Sequence, residues 1–159
     1  MRKNIACYLS SHGFGHAVRS ETVIRALALA RPDWNFFICS GSPDFLFRTV
    51  LQMPNVHLRR QATDFGLVQH DPRRFSLEET AVRLQELLAE YGRIVEREMT
   101  FLKRERITGI YCDLPYLPFL AAEKLDIPAA GMGNFSWDWV YYYYAAHDPV
   151  FTRAAGLAA

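Results

Sequence analysis

Five short apolar runs, at residues 5–9, 34–39, 55–58, 107–112 and 127–132, punctuate the chain, and the stretches between several of them carry apolar residues at helical spacing. Runs this short and this apolar suit strands buried on both faces. Strands separated by helices pair in parallel through right-handed crossovers, with the helices covering the sheet. The pattern predicts an α/β fold with a parallel sheet covered by helices. Ligands of such sheets bind outside the carboxyl ends of the strands. His12, His16, Ser40, Asp113 and Asn134 all fall at those ends.

Between the strands, Val23, Ile24, Leu27 and Ala28 mark a first helix over 20–30, and Asp44 is placed to cap a short helix carrying Phe45, Leu46, Phe47, Val50 and Leu51. Ser76-Leu77-Glu78-Glu79 is a capping-box pattern. It opens a long helix to about Arg104, with Leu84, Leu87, Leu88, Tyr91, Ile94, Val95, Met99 and Leu102 on one side and Gly92 as a weak point. A further helix is expected over 115–125. Residues 59–75 are polar and aperiodic and read as one long loop, with Asp64-Phe65-Gly66 and His70-Asp71-Pro72-Arg73-Arg74 in it. The tail from Asn134 is dense in aromatics. Of the four consecutive tyrosines Tyr141 to Tyr144, two are expected to pack inward and two to face outward. Residues 153–159 read as a helix cut short.

A chain of 159 residues supports one sizeable core, so a single domain over 1–159 is expected. Its net charge of +1, without a basic run, gives no general attraction to nucleic acid or anionic membrane. The apolar run after Met1-Arg2-Lys3 is too short for a signal peptide or a transmembrane segment, which makes a cytoplasmic location the default. Cys7, Cys39 and Cys112 lie in or at the end of strand-like runs without metal-type spacing, and read as buried thiols in a reducing compartment.

The stretch Ser10-Ser11-His12-Gly13-Phe14-Gly15-His16-Ala17-Val18-Arg19 connects the first strand to the first helix. Its glycines let a ligand approach the backbone, and the helix start presents unpaired N–H groups and a positive dipole end, which together favour an anion. A dinucleotide fingerprint is not completed, because Val18 stands at the third glycine and Ser40-Gly41 where the ribose-binding acid belongs. A triphosphate loop would need Gly-Lys-Ser/Thr, and His12 with His16 lacks a carboxylate to complete a zinc motif. No metal site is expected. His16 reads as a general base oriented by a carboxylate such as Asp113, or else as a residue that merely packs the turn. His12 either binds ligand or orients the loop. Asp113 ends a buried strand or caps the next helix, and Arg19 either meets a phosphate or is a solvated helix residue.

Taken together, the turn Gly13-Phe14-Gly15-His16, the strand-end Asp113 and the segment Asn134-Phe135-Ser136-Trp137-Asp138 resemble the N-terminal half of GT-B glycosyltransferases. That group includes the bacterial N-acetylglucosaminyltransferase that makes lipid II and the UDP-glycosyltransferases. The chain is also similar to the glycosyltransferase-like N-terminal domain of L-arabinokinase, which carries a His-Gly-Phe-Gly-His-Ala turn, a Pro-Asp-Phe segment like Pro43-Asp44-Phe45, and an Asn-Phe-Ser-Trp-Asp segment. The three segments in order are far more specific than the Gly-His turn alone.

The resemblance implies a three-layer, Rossmann-like parallel sheet forming the acceptor-side half of a GT-B architecture, whose partner, a C-terminal donor-binding half, is absent from these residues, so that the chain alone is expected to be inactive. It implies transfer from a nucleotide-diphosphate sugar, the donor substrate, to a hydroxyl on a small-molecule or lipid-linked acceptor. His16 would deprotonate that hydroxyl and Asp113 would steady the imidazolium. The backbone of Gly13, Phe14 and Gly15 would approach the diphosphate, with His12, Arg19 and Asn134 lining the ligand. No cofactor and no metal enter that scheme, in keeping with the lack of an Asp-x-Asp motif. Two other readings stand beside it: a non-catalytic sugar- or nucleotide-binding module attached to another enzyme such as a sugar kinase, and a domain that pairs with a second copy as a homodimer.

Overall fold

A computed structural model of the protein describes residues 3–71 and 74–159; Pro72 and Arg73, part of the expected loop, lie outside the described residues, as do Met1 and Arg2. In chain order the elements are β1 (Asn4–Leu9), α1 (Phe14–Ala30), β2 (Asn35–Ser40), two 3₁₀ turns (Asp44–Phe47 and Val50–Gln52) and β3 (Val56–Arg60). They continue with β4 (Val68–Asp71), β5 (Arg74–Ser76), α2 (Leu77–Arg104), β6 (Gly109–Asp113), α3 (Leu117–Lys124), β7 (Ala129–Met132), α4 (Trp137–Tyr143) and α5 (Pro149–Ala158). The five-stranded sheet has the order β3-β2-β1-β6-β7. Every pair in it is parallel.

Alternation along β1 explains the three layers, because Cys7 and Leu9 point to one face and Ala6 and Tyr8 to the other. On the first face Ile24 and Ala28 of α1 meet Phe36, Ile38, Phe47 and Val50. On the second, Val95, Phe101 and Leu102 of α2 and Ala121 of α3 meet Ile110 and Cys112. A third cluster joins Leu84 of α2 to Trp137, Tyr141, Val150 and Phe151, so the tail packs against the domain. Tyr141 is buried and Tyr144 partly so, while Tyr142 and Tyr143 are exposed, as the helical directions of four consecutive residues require.

Two acidic side chains, Glu98 and Asp113, are fully buried among the described residues. Glu98 of α2 accepts from the Tyr8 hydroxyl at 2.9 Å and from both arms of the Arg59 guanidinium, which also stacks over Phe101 at 4.1 Å. The three cysteines are free and buried, and burial pushes the Cys39 thiol up to about 12. No helix among the described residues is long and apolar enough to cross a membrane.

Four sequence expectations need correction. Helix α1 starts at Phe14 and not near residue 20, because Gly13 takes φ 84° as its N-cap and turns the chain in a single residue. Asp44 caps nothing; Pro43 stands at that N-cap, and the Asp44 carboxylate pairs with Arg60. The segment 59–75 is not one loop, since β3 runs to Arg60 and β4 and β5 form an antiparallel hairpin. Both hairpin strands are largely solvent-facing, so no apolar alternation marks them in the sequence. Gly92 does not interrupt α2, whose 28 residues start at an Ser76 cap that accepts from the Glu79 N–H.

Candidate active site

The site is built where β1 and β6 end side by side. Leu9 pairs with Asp113 in register, and the Ser10 N–H donates to the Asp113 carbonyl at 3.1 Å. From there the chain turns through Gly13 into α1, which places His16, Arg19 and Ser20 at positions i, i+3 and i+4 on one helix face. All three reach one carboxylate.

Asp113 is fully buried, and a buried carboxylate must be matched by donors. Its Oδ1 lies 2.9 Å from His16 Nδ1 and accepts from Arg19 Nη2 at 2.6 Å; its Oδ2 accepts from Ser20 Oγ at 2.6 Å and from Arg19 Nε at 3.3 Å. The Tyr111 hydroxyl lies 3.1 Å from Ser20 Oγ, extending the chain of hydroxyls. An ionised carboxylate only accepts, so a proton on His16 Nδ1 would bond to it and leave a lone pair on Nε2. That is the arrangement of a base held in one orientation by an acid. Phe135 packs edge-on to the His16 ring at 6.0 Å.

A second carboxylate, Asp64, comes in from the segment after β3. Burial pushes its proton affinity up, while the Ser10 hydroxyl, Trp137 Nε1 at 3.3 Å and the Ser11 N–H pull it back. Nearby, His12 packs edge-on to Trp137 at 5.3 Å; its proton affinity is lowered, first by burial and then by His16, against the opposing pull of Asp64. Gly66 permits this approach, since a Cβ there would lie 2.6 Å from His12 Nδ1 and 2.6 Å from the Trp137 ring. The Tyr141 hydroxyl fastens the same segment through the Phe65 carbonyl.

The outer side of the turn is open. A Cβ on Gly13 or Gly15 would meet nothing within 4 Å, and Phe14 is exposed, resting edge-on against Phe45. Phe135 and Trp137 also line a cavity of about 730 Å³ with Tyr116, Phe119, Met132 and Leu157. That volume falls within the usual range for small-molecule sites.

The sequence-predicted residues separate cleanly. His16 and Asp113 are brought into contact, and Asp113 does not cap α3, whose N-cap is Tyr116. Arg19 is neither free in solvent nor turned toward the open side; its Nε and Nη2 are on Asp113. His12, Gly13, Phe14 and Gly15 form the turn, whereas Asn134 is exposed and makes no side-chain hydrogen bond among the described residues. Ser20, Tyr111 and Asp64 escaped the sequence reading. Ser20 did leave a signal, a hydroxyl set among Ala17, Ile24 and Ala28 on the buried stripe of α1. Asp64 left none, because an aperiodic segment gives no clue to what it touches. Among the described residues there is no group of three or more His, Cys, Asp or Glu that could hold a metal ion.

No family model matches the chain. Over 146 residues, 87% of its length, it is 34% identical to an L-arabinokinase of Arabidopsis thaliana, and it spans 13% of that protein. Solved structures with the same fold include the glycosyltransferase of kitacinnamycin, at TM-score 0.58 and 15% identity over 97% of this chain and 38% of that one. The calicheamicin glycosyltransferase CalG4 matches at TM-score 0.54 and 15% identity over 98% of this chain and 41% of its own. A UDP-glucose:anthocyanidin 3-O-glucosyltransferase in complex with UDP matches at TM-score 0.53 and 16% identity, over 92% of this chain and 34% of that one. The chain therefore spans less than half of each of these proteins.

Proposed function

We propose, from the premise that this chain has the fold of one half of a GT-B glycosyltransferase, that it is the acceptor-binding half of such an enzyme. On this reading the donor is a nucleotide-diphosphate sugar and the acceptor a hydroxyl on a small-molecule or lipid-linked compound. The observation that carries it is the 2.9 Å contact between His16 and the buried Asp113 at the start of α1. His16 Nε2 takes the hydroxyl proton as the acceptor oxygen bonds to the anomeric carbon. The bond from that carbon to the diphosphate breaks, and the diphosphate leaves with the electron pair. Asp113 balances the imidazolium that results. The open backbone of Gly13 to Gly15 and the positive end of α1 face the diphosphate, with His12, Phe14 and Asn134 around the ligand. The scheme routes the proton through His16 and assigns no metal to that step. A cytoplasmic location suits a nucleotide-sugar donor.

The decisive experiment uses the complete protein and a panel of nucleotide-sugars, with diphosphate release as the readout. His16→Ala should reduce turnover by about 10²–10⁴-fold while donor affinity stays nearly the same. Unchanged turnover would overturn the assignment. A second reading has its own support in the 34% identity to 13% of an L-arabinokinase: a sugar- or nucleotide-binding module carried by a larger enzyme such as a sugar kinase. Saturable binding of a nucleotide-sugar without any release of diphosphate would favour it.

A further inference from the structure

We propose that Arg19 is a positioning residue for the His16–Asp113 pair: its guanidinium keeps the buried carboxylate ionised, and thereby keeps the proton of the neutral imidazole on Nδ1 and the lone pair on Nε2. The proposal deepens the proton-acceptor reading of His16 and specifies what that reading leaves open.

Asp113 has no exposed surface and, among the described residues, one full cation in contact with it, Arg19, whose side chain reaches it through both Nη2 and Nε. Its other donors are the Ser20 hydroxyl and the His16 ring. Among the described residues, the other groups around the pair are Tyr111 behind Ser20, Phe135 edge-on to the His16 ring, and His12 across the turn, which faces the Asp64 carboxylate and which burial holds toward its neutral form. Burying a charge costs least with an opposite charge beside it, and removal of Arg19 leaves the Asp113 carboxyl with the Ser20 and His16 donors alone. Protonated, Asp113 would donate to Nδ1. The ring proton would then sit on Nε2, the atom that must accept.

The geometry places Arg19 Nη2 2.6 Å from Asp113 Oδ1 and 3.2 Å from His16 Nδ1. Two patterns fit these positions. Either Nη2 and Nδ1–H both donate to Oδ1, or Nη2 donates to a bare Nδ1 and the ring is protonated on Nε2. The shorter contact to oxygen, together with the second bond from Nε to Oδ2, assigns the guanidinium to the carboxylate in the forked manner natural to arginine.

The two patterns differ in imidazole ¹⁵N shifts, which read the tautomer without any need for turnover. In the ¹⁵N-labelled chain, at a pH above the ring's titration, His16 should show a pyrrole-like Nδ1 and a pyridine-like Nε2. In Arg19→Gln the two shifts should exchange, Arg19→Lys should restore the wild-type pattern by supplying a cation, and Asp113→Asn gives the reference for a donor placed on Nδ1. Arg19→Met, which keeps the aliphatic stem along α1, replaces Arg19→Gln if that variant does not fold. A wild-type ring protonated on Nε2 overturns the proposal, as does a wild-type pattern persisting in the folded neutral variant. The transferase reading is tested separately, by diphosphate release from the complete protein, so the two can fail independently.

Discussion

The two histidines of the turn sit four residues apart and meet opposite surroundings. His16 has a buried carboxylate on one ring nitrogen, whereas His12 is partly buried against Trp137 with Asp64 only nearby. For His12 the folded state binds its proton less readily than the unfolded chain, which titrates near the ordinary value of 6.5. The unfolded state therefore holds more protons as the pH falls through that value, and the stability present above it is lost below it. Thermal melts at pH 8, 6.5 and 5 should show the wild type losing stability relative to His12→Gln on acidification. Parallel profiles for the two proteins would show that the ring is not set apart by its burial. Burial of this kind is invisible in the sequence, where His12 and His16 look alike; only the strand-end position of Asp113 hinted which of them gains a partner.

Helix α2 shows how far elements could be read directly. Its Ser76 cap, its acidic first turn with Glu78 and Glu79, and the basic Lys103 and Arg104 at its end all agree with its apolar stripe, so both boundaries were legible. The capping box closes on one side only, because the Glu79 carboxylate reaches His70 of the hairpin instead. Gly92 was the one discordant residue. It lies on the exposed face, a Cβ there would meet nothing within 4 Å, and the helix continues through it. Gly92→Ala should raise stability by about 0.5–1 kcal/mol, read as a higher urea midpoint at unchanged slope. A lower midpoint would mean that the helix uses a distortion there. Elements without a buried stripe were the illegible ones. The β4–β5 hairpin shows its residues mostly to solvent, and the first turn of α1 hid behind glycines that by themselves suggest only a loop.

Across the whole molecule, the parallel sheet between helices and the strand-end positions of His16 and Asp113 followed from five apolar runs, but the strand order and the difference between the sheet's two edges did not. The β3 edge ends in the exposed Arg60, a charge that discourages pairing with another sheet. The β7 edge offers Ala129, Ala130 and Gly131 exposed, with no charge in the strand. Such an edge tends to aggregate when left uncovered. Ala130→Lys should lower the concentration-dependent light scattering of the isolated chain and leave its far-ultraviolet dichroism unchanged; equal scattering would place the sticky surface elsewhere.

The sheet's centre is also its beginning. β1 is made first and lies in the middle, so β2 and β3 can add to it as soon as they leave the ribosome, while β6 must wait until all of α2 has been synthesised. His16 and Asp113 are 97 positions apart, a delay of about 5–20 s at ~5–20 residues per second of translation. During that interval the nascent chain displays its glycine turn and Arg19 on half a sheet. The arrival of β6 beside β1 then supplies the carboxylate, so the contact between His16 and Asp113 cannot form on a chain whose central strands have not yet met.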